Sequence, residues 1–198
     1  MSDFRLYFEL GLEHVLSIQG YDHILFLIGL TLPYNFKEWR NVVLLVTLFT
    51  IGHTISLILG VYEIADVKAN IVEFLIPLSI FATALYNIYI SIKKKLKKDN
   101  SNINVMAFIT LFFGLIHGLG FFHSFKILLH SSTGEKLIPL LEFALGIEAA
   151  QGIVVLSVLL LSFVVYRFFK LSQRDWVLVI SAFIAGIILP AIIANKFW

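Results

Sequence analysis

The sequence predicts an all-α polytopic membrane protein, a bundle of about six transmembrane helices whose first segment is broken or re-entrant. The chain of 198 residues is 59% hydrophobic and has a mean hydropathy of +0.92, which is too apolar for a soluble domain of this length. Its apolar runs reach the roughly 20 residues that a helix needs to cross a bilayer. We therefore expect a single transmembrane domain, 1–198, surrounded by lipid.

Six apolar segments follow one another along the chain. The first, 4–32, is interrupted near Gln19 and Gly20, so it is either one broken helix or a short outer helix followed by a spanning helix. Glycine at this point permits a break, because it has no side chain to restrict the backbone. The other five segments are 40–60, 69–92, 105–129, 137–169 and 176–197.

Basic residues predict the orientation of these segments. They concentrate in the connections after segments one, three and five, and five lysines lie within 93–98 alone. Since connections rich in lysine and arginine stay in the cytoplasm, we expect the 3–4 loop there and both termini outside. Topology thus accounts for the lysine cluster, and the sequence contains no nucleic-acid-binding motif.

Ionisable side chains inside the apolar segments are the main indication of function. Such a group is expensive in lipid, so it usually faces a bundle interior, a cavity or a transport path. At about 1.5 Å of rise per residue, these groups fall in the middle and outer half of the predicted spans, so a single site would open to the exterior. They comprise five of the six histidines and three carboxylates: His14, His23, His53, His117, His123, Asp22, Glu73 and Glu148.

Two of these groups have neighbours that suit a metal ligand. Asp22 and His23 directly follow the predicted break. Either one of them binds a metal while the other forms a hydrogen bond with it, or both of them bind the metal. Alternatively, Asp22 caps the start of a helix. His53 shares a helix face with Thr50 and Thr54, whose hydroxyls could orient its imidazole. The alternative for His53 is an interhelical hydrogen bond.

The remaining candidates lie on the later segments. Glu73 precedes Pro77, and a proline kink beside a carboxylate suits an ion site, although Glu73 could instead be hydrated at the interface. Three glycines around His117 let another helix approach closely, for a site or for packing alone. Glu148, which shares a face with Gln151, has no nearby basic residue and needs a proton or a cation.

The chemical type of these side chains limits which metal ions the site could bind. The chain has no cysteine, which excludes disulfides and thiolate ligands. Nitrogen and oxygen ligands without sulfur suit nickel, cobalt, zinc, iron or manganese better than copper(I). No helix carries a recognised pair of ligands, so the site must be assembled between helices. His123 suits a plain interfacial role, and His130 a surface loop.

Five short runs of the chain together resemble the HupE/UreJ family. The resemblance implies a small polytopic protein of the bacterial inner membrane that is linked to nickel or cobalt uptake. The runs occur in the family's order: 20–26, 49–54, 73–80, 113–121 and 146–151. The resemblance implies a metal-binding role for Asp22, His23, His53, Glu73, His117 and Glu148, to which we add His14 and Gln151 as weaker candidates.

Three functions remain compatible with the sequence. The first is transport of a divalent transition-metal ion, nickel, cobalt or zinc, by this chain alone, as a homo-oligomer or with a partner subunit. The second is an intramembrane zinc hydrolase, in which three histidines hold the metal and a carboxylate acts as general base. The third is a haem subunit with two axial histidines, which the carboxylates at the same depth disfavour.

Overall fold

The computed structural model describes residues 4–65, 67–93, 103–129 and 136–195, without the side chains of 104, 105 and 123. The predicted loop lysines after residue 93, His130 and the side chain of His123 therefore lie outside the described part. Every regular element within it is a helix, which confirms the all-α prediction. The helices are α1 (Phe4–Leu16), α2 (Tyr21–Thr31), α3 (Trp39–Val61), α4 (Ala69–Lys93), α5 (Ile103–Leu128), α6 (Leu137–Phe168) and α7 (Gln173–Ala194).

Segment one forms two helices joined by a single 3₁₀ turn, Ile18–Gly20. The side-chain oxygen of Ser17 caps this turn by accepting a hydrogen bond from the amide of Gly20. A Cβ atom at residue 20 would overlap the carbonyl oxygen of His14, so glycine is needed for the chain to fold back this closely. The predicted break is confirmed, and it separates α1 from α2.

The ends of the helices define two faces of the bundle. At the Glu63 face, Glu63 of the α3–α4 connection pairs with Lys126, and Asn195 donates a hydrogen bond to the carbonyl oxygen of Glu73. At the Asn35 face, Asn35 of the α2–α3 connection donates a hydrogen bond of 3.3 Å to Gln173, the first residue of α7. α3 to α7 alternate in direction between these faces.

α1 and α2 together make one further pass between the two faces. Tyr7 of α1 lies beside Phe125, close to the Glu63 face, with ring centroids 6.2 Å apart. Towards the Asn35 face, the side chain of Asn87 on α4 donates to the carbonyl oxygen of Gly29 on α2. The broken segment and five continuous helices therefore agree with the prediction of about six passes.

Four of the described helical stretches are long and apolar enough to cross a membrane. A shorter apolar stretch, Met106–Phe122, lies within α5. The four are Phe36–Val61, Ala69–Lys93, Leu137–Phe168 and Gln173–Ala194.

α3 and α5 run parallel and in direct backbone contact. Gly52 packs on the carbonyl oxygen of Leu111, and Gly114 packs on the carbonyl oxygen of Phe49. Farther along, Gly118 meets the carbonyl oxygen of His53. Small residues at these positions allow the two backbones to touch, as is common between membrane helices.

Substituting Gly114 with alanine should destabilise the bundle by about 1–3 kcal/mol, the usual cost of overpacking. The new methyl group would overlap the Phe49 carbonyl, which cannot move without its helix. A thermal-unfolding series in detergent measures the effect. Gly152→Ala is the matched control, because nothing lies within 4 Å of the methyl group it adds. Equal midpoints for the two variants would contradict the close contact between α3 and α5.

Candidate metal centre

Three histidines from three different helices converge in the interior of the bundle. His14 lies in the last turn of α1, His23 lies in the first turn of α2, and His53 lies on α3. Each offers one ring nitrogen, and these three atoms all lie within 4.8 Å of one another. A fourth imidazole, that of His117 on α5, has its ring centroid 5.2 Å from that of His23. We call these four side chains the imidazole cluster.

Asp22 orients the imidazole of His23. Its Oδ1 atom accepts a hydrogen bond of 2.9 Å from the His23 backbone amide and lies 3.1 Å from the ring Nδ1. A proton on Nδ1 is directed at the carboxylate, which leaves Nε2 available on the other side of the ring. Carboxylate–histidine pairs of this kind fix the tautomer of metal-binding imidazoles. Asp22 is therefore placed to orient the His23 ring.

The His117 imidazole is held by its own helix, and His53 by the close packing of α3 on α5. The ring Nδ1 of His117 lies 2.9 Å from the carbonyl oxygen of Phe113, which again leaves Nε2 available. His53 is fully buried, and its backbone contacts Gly114 and Gly118 of the neighbouring helix. The glycines around His117 thus bring α5 against α3 and place the His117 ring beside that of His23.

Ring nitrogens without partners are the clearest chemical feature of the cluster. A buried polar atom that makes no hydrogen bond costs roughly 1–3 kcal/mol. Neutral imidazole nitrogens are good ligands for zinc, nickel and cobalt, so the donor set fits a divalent transition metal. Within the described residues, the buried ring nitrogens without a hydrogen bond are Nε2 of His14, His23 and His117 and both nitrogens of His53.

A cavity of about 460 Å³ gives access to the cluster between α1, α2, α4 and α5. His14, His23 and His117 line it, and Glu73, which lies near the Glu63 face, forms part of its wall. Asp22 and Glu13 add two more carboxylates. Glu13 is not among the residues predicted from the sequence, although its place beside His14 could have indicated it.

Glu148 and Gln151 form a separate polar group with α3. The carboxylate of Glu148 accepts hydrogen bonds from Thr47 (2.6 Å) and Thr50 (2.5 Å), and Thr50 Oγ1 lies 2.9 Å from Gln151 Oε1. The expected role of the threonine hydroxyls beside His53 is wrong. Thr50 bonds α6 instead, and Thr54 donates back to the Thr50 carbonyl.

Comparison with known proteins shows which family the chain belongs to. The family model described as HupE / UreJ protein matches residues 1–195, essentially the whole chain. The protein belongs to the HupE/UreJ family. No curated protein and no solved structure matched the chain. Family and apolar helices together identify this HupE/UreJ protein as a membrane protein in a lipid bilayer.

The HupE/UreJ runs fall at two places in the structure. Asp22, His23, His53 and His117 meet at the imidazole cluster, and Glu73 lies on the wall of its cavity. His14, a weaker candidate from the sequence, is one of the three converging histidines, because the break folds α1 and α2 together.

Replacing Asp22 with asparagine should weaken metal binding about 10- to 100-fold, the usual effect of losing a partner of a ligand. The amide cannot supply the charge that favours the Nδ1-protonated tautomer of His23. Isothermal titration of purified protein with nickel, cobalt and zinc measures the change. Asp175→Asn is the control, because Asp175 also lies in the first turn of a helix but bonds Ser172 at the Asn35 face. Unchanged affinity in Asp22→Asn would contradict the orienting role.

Proposed function

We propose that this protein binds a divalent transition-metal ion at the imidazole cluster and carries it across the bacterial inner membrane. The convergence of unpartnered ring nitrogens from three helices, with the His117 ring beside that of His23, supports this most directly. The link of the HupE/UreJ family to nickel and cobalt uptake favours these two ions, and zinc fits the same donors. In this proposal His14, His23, His53 and His117 are the ligands.

The carboxylates around the cavity would attract the ion before it is bound. Glu13, Asp22 and Glu73 line the same cavity as three of the imidazoles. A concave site lined by one sign of charge raises the local concentration of an oppositely charged substrate. We place the Glu63 face outside the cell, because the basic connections belong to the opposite face. The ion would then enter from the exterior.

Binding would require the ion to exchange water for imidazole nitrogen. His53 is fully buried and His23 is 4% exposed, so an ion bound there would lose most of its contact with water. Neutral imidazoles leave the charge of the ion uncompensated, and the nearby Asp22 carboxylate reduces that cost.

His53→Ala should abolish tight metal binding and lower uptake to background, since it removes one of three converging nitrogens. Proteoliposomes loaded with a metal-sensitive dye measure uptake of nickel, cobalt and zinc, and elemental analysis measures the bound ion. Ser157→Ala is the control: this exposed hydroxyl bonds its own helix at Ile153. Full binding and uptake in His53→Ala would refute the site.

One observation favours the zinc hydrolase as a second candidate. A cavity of about 460 Å³ is the size of a small-molecule pocket, larger than one ion needs. Three imidazoles would hold zinc, and Glu13 or Glu73 would take a proton from a metal-bound water. Hydrolysis of ester or amide substrates that is lost on chelation, without ion flux, would select this function over transport.

A further inference from the structure

The polar group around Glu148 has the composition of a second ion site. Its donors are the two carboxylate oxygens of Glu148, the hydroxyls of Thr47 and Thr50, and the side-chain carbonyl of Gln151. All are oxygen atoms, in contrast to the nitrogens of the imidazole cluster. We call these four side chains the oxygen cluster.

The charge of the oxygen cluster is not compensated by the protein. Among the described residues, no lysine, arginine or histidine pairs with Glu148. A carboxylate inside a membrane span is costly without a partner and usually marks an ion or proton path. The two threonine hydroxyls satisfy part of its hydrogen-bonding capacity but add no positive charge. A bound cation would supply it.

Thr50 is the most crowded point of the oxygen cluster. Its Oγ1 atom carries one hydrogen and lies 2.5 Å from Glu148 Oε2, 2.9 Å from Gln151 Oε1 and 3.4 Å from the Val46 carbonyl oxygen. Gln151 is fully buried, and its Nε2 has no hydrogen-bond partner. Rotation of the Gln151 amide by 180° would let Nε2 donate to Thr50 Oγ1, so this amide can complete the hydrogen bonds when no ion is present and can turn its oxygen to an ion that binds.

The oxygen cluster lies directly inward of the imidazole cluster. Thr50 precedes His53 by three residues on α3, which is about 4.5 Å along the helix axis, on the side of the Asn35 face. None of its four side chains lines the cavity that reaches the imidazoles. An ion that arrives from the cavity therefore reaches the imidazole cluster before it reaches the oxygen cluster.

We propose that the oxygen cluster is a second station for the transported ion, which passes to it from the imidazoles and is held there by Glu148, Thr47, Thr50 and Gln151. This inference rests on the proposed transport function. It divides the residues that the family resemblance groups together into two successive sites.

The chemistry of the two stations gives the transfer a direction. Nickel, cobalt and zinc bind imidazole nitrogen well, whereas carboxylate, carbonyl and hydroxyl oxygens suit harder ions. A transition metal is therefore held less tightly at the oxygen cluster. The ion exchanges nitrogen ligands for oxygen ligands, and the step needs no further reactant. A tight outer site followed by a weaker inner site allows both capture and release.

Titration with nickel tests the two stations by counting ions. Wild-type protein should bind one tight and one weaker equivalent. His53→Ala should lose the tight equivalent, and Glu148→Gln should lose the weaker one while keeping the tight one. A single equivalent in the wild type, or loss of the tight ion in Glu148→Gln, would overturn the proposal.

Uptake into proteoliposomes tests whether the oxygen cluster lies on the path of the ion. Glu148→Gln and Thr50→Val should lower the uptake rate at least about tenfold, the scale on which partners of a metal site affect activity. Ser157→Ala on the same helix as Glu148 should transport normally. Wild-type rates in both variants would exclude the oxygen cluster from the path. If Glu148→Gln does not fold, Thr47→Val removes one hydroxyl at nearly constant volume and must show the same loss.

These measurements separate failure of the station from failure of the proposed function. Wild-type protein that moves no ion would refute transport, whatever Glu148→Gln does. The titration would then still decide whether the oxygen cluster binds a second ion.

Discussion

The break between α1 and α2 is the constraint on which the candidate site depends. In a continuous helix, His14 and His23 would lie about 13 Å apart along the axis. The turn at Ser17 and Gly20 instead brings their ring centroids to 4.6 Å. Gly20 makes the fold-back possible, because its α-carbon lies against the backbone of His14. A single residue without a side chain thus brings two imidazoles from one segment to one centre.

Close packing of α3 against α5 supplies the other half of the site. Because Gly114 and Gly118 let the two backbones touch, α5 brings the imidazole of His117 beside that of His23, next to the centre that His53 forms with the broken segment. Both rings are buried, which a looser pair of helices would not achieve. The glycines therefore serve the site as well as the packing, and the two explanations of the motif around His117 do not exclude each other.

The sequence predicts the helices and most of the ionisable groups of the site, because hydropathy and membrane length restrict the chain to a few arrangements. It does not predict which groups meet. Spacing along one helix says nothing about the neighbour that a side chain faces, so Glu148 could not be separated from the histidines. His14 was undervalued for the same reason, since its position depends on the angle of the break. Glu13 adjoins a ligand in sequence, but its exposure to the cavity depends on the packing of α1.

Aromatic rings surround the imidazoles, and one of these rings belongs to the wall of the cavity. Phe121 lies 4.0 Å from His14 between ring centroids, and Phe49 lies 5.0 Å from His117. Apolar rings lower the local dielectric constant, and electrostatic interactions are stronger in such a surrounding. Water can reach the imidazoles from the side of the cavity, which three of them line. Toward the Asn35 face, the hydroxyl of Thr50 follows about one turn along α3 from His53. In the proposed transport function, an ion at the imidazoles would therefore leave either through the cavity or toward the oxygen cluster.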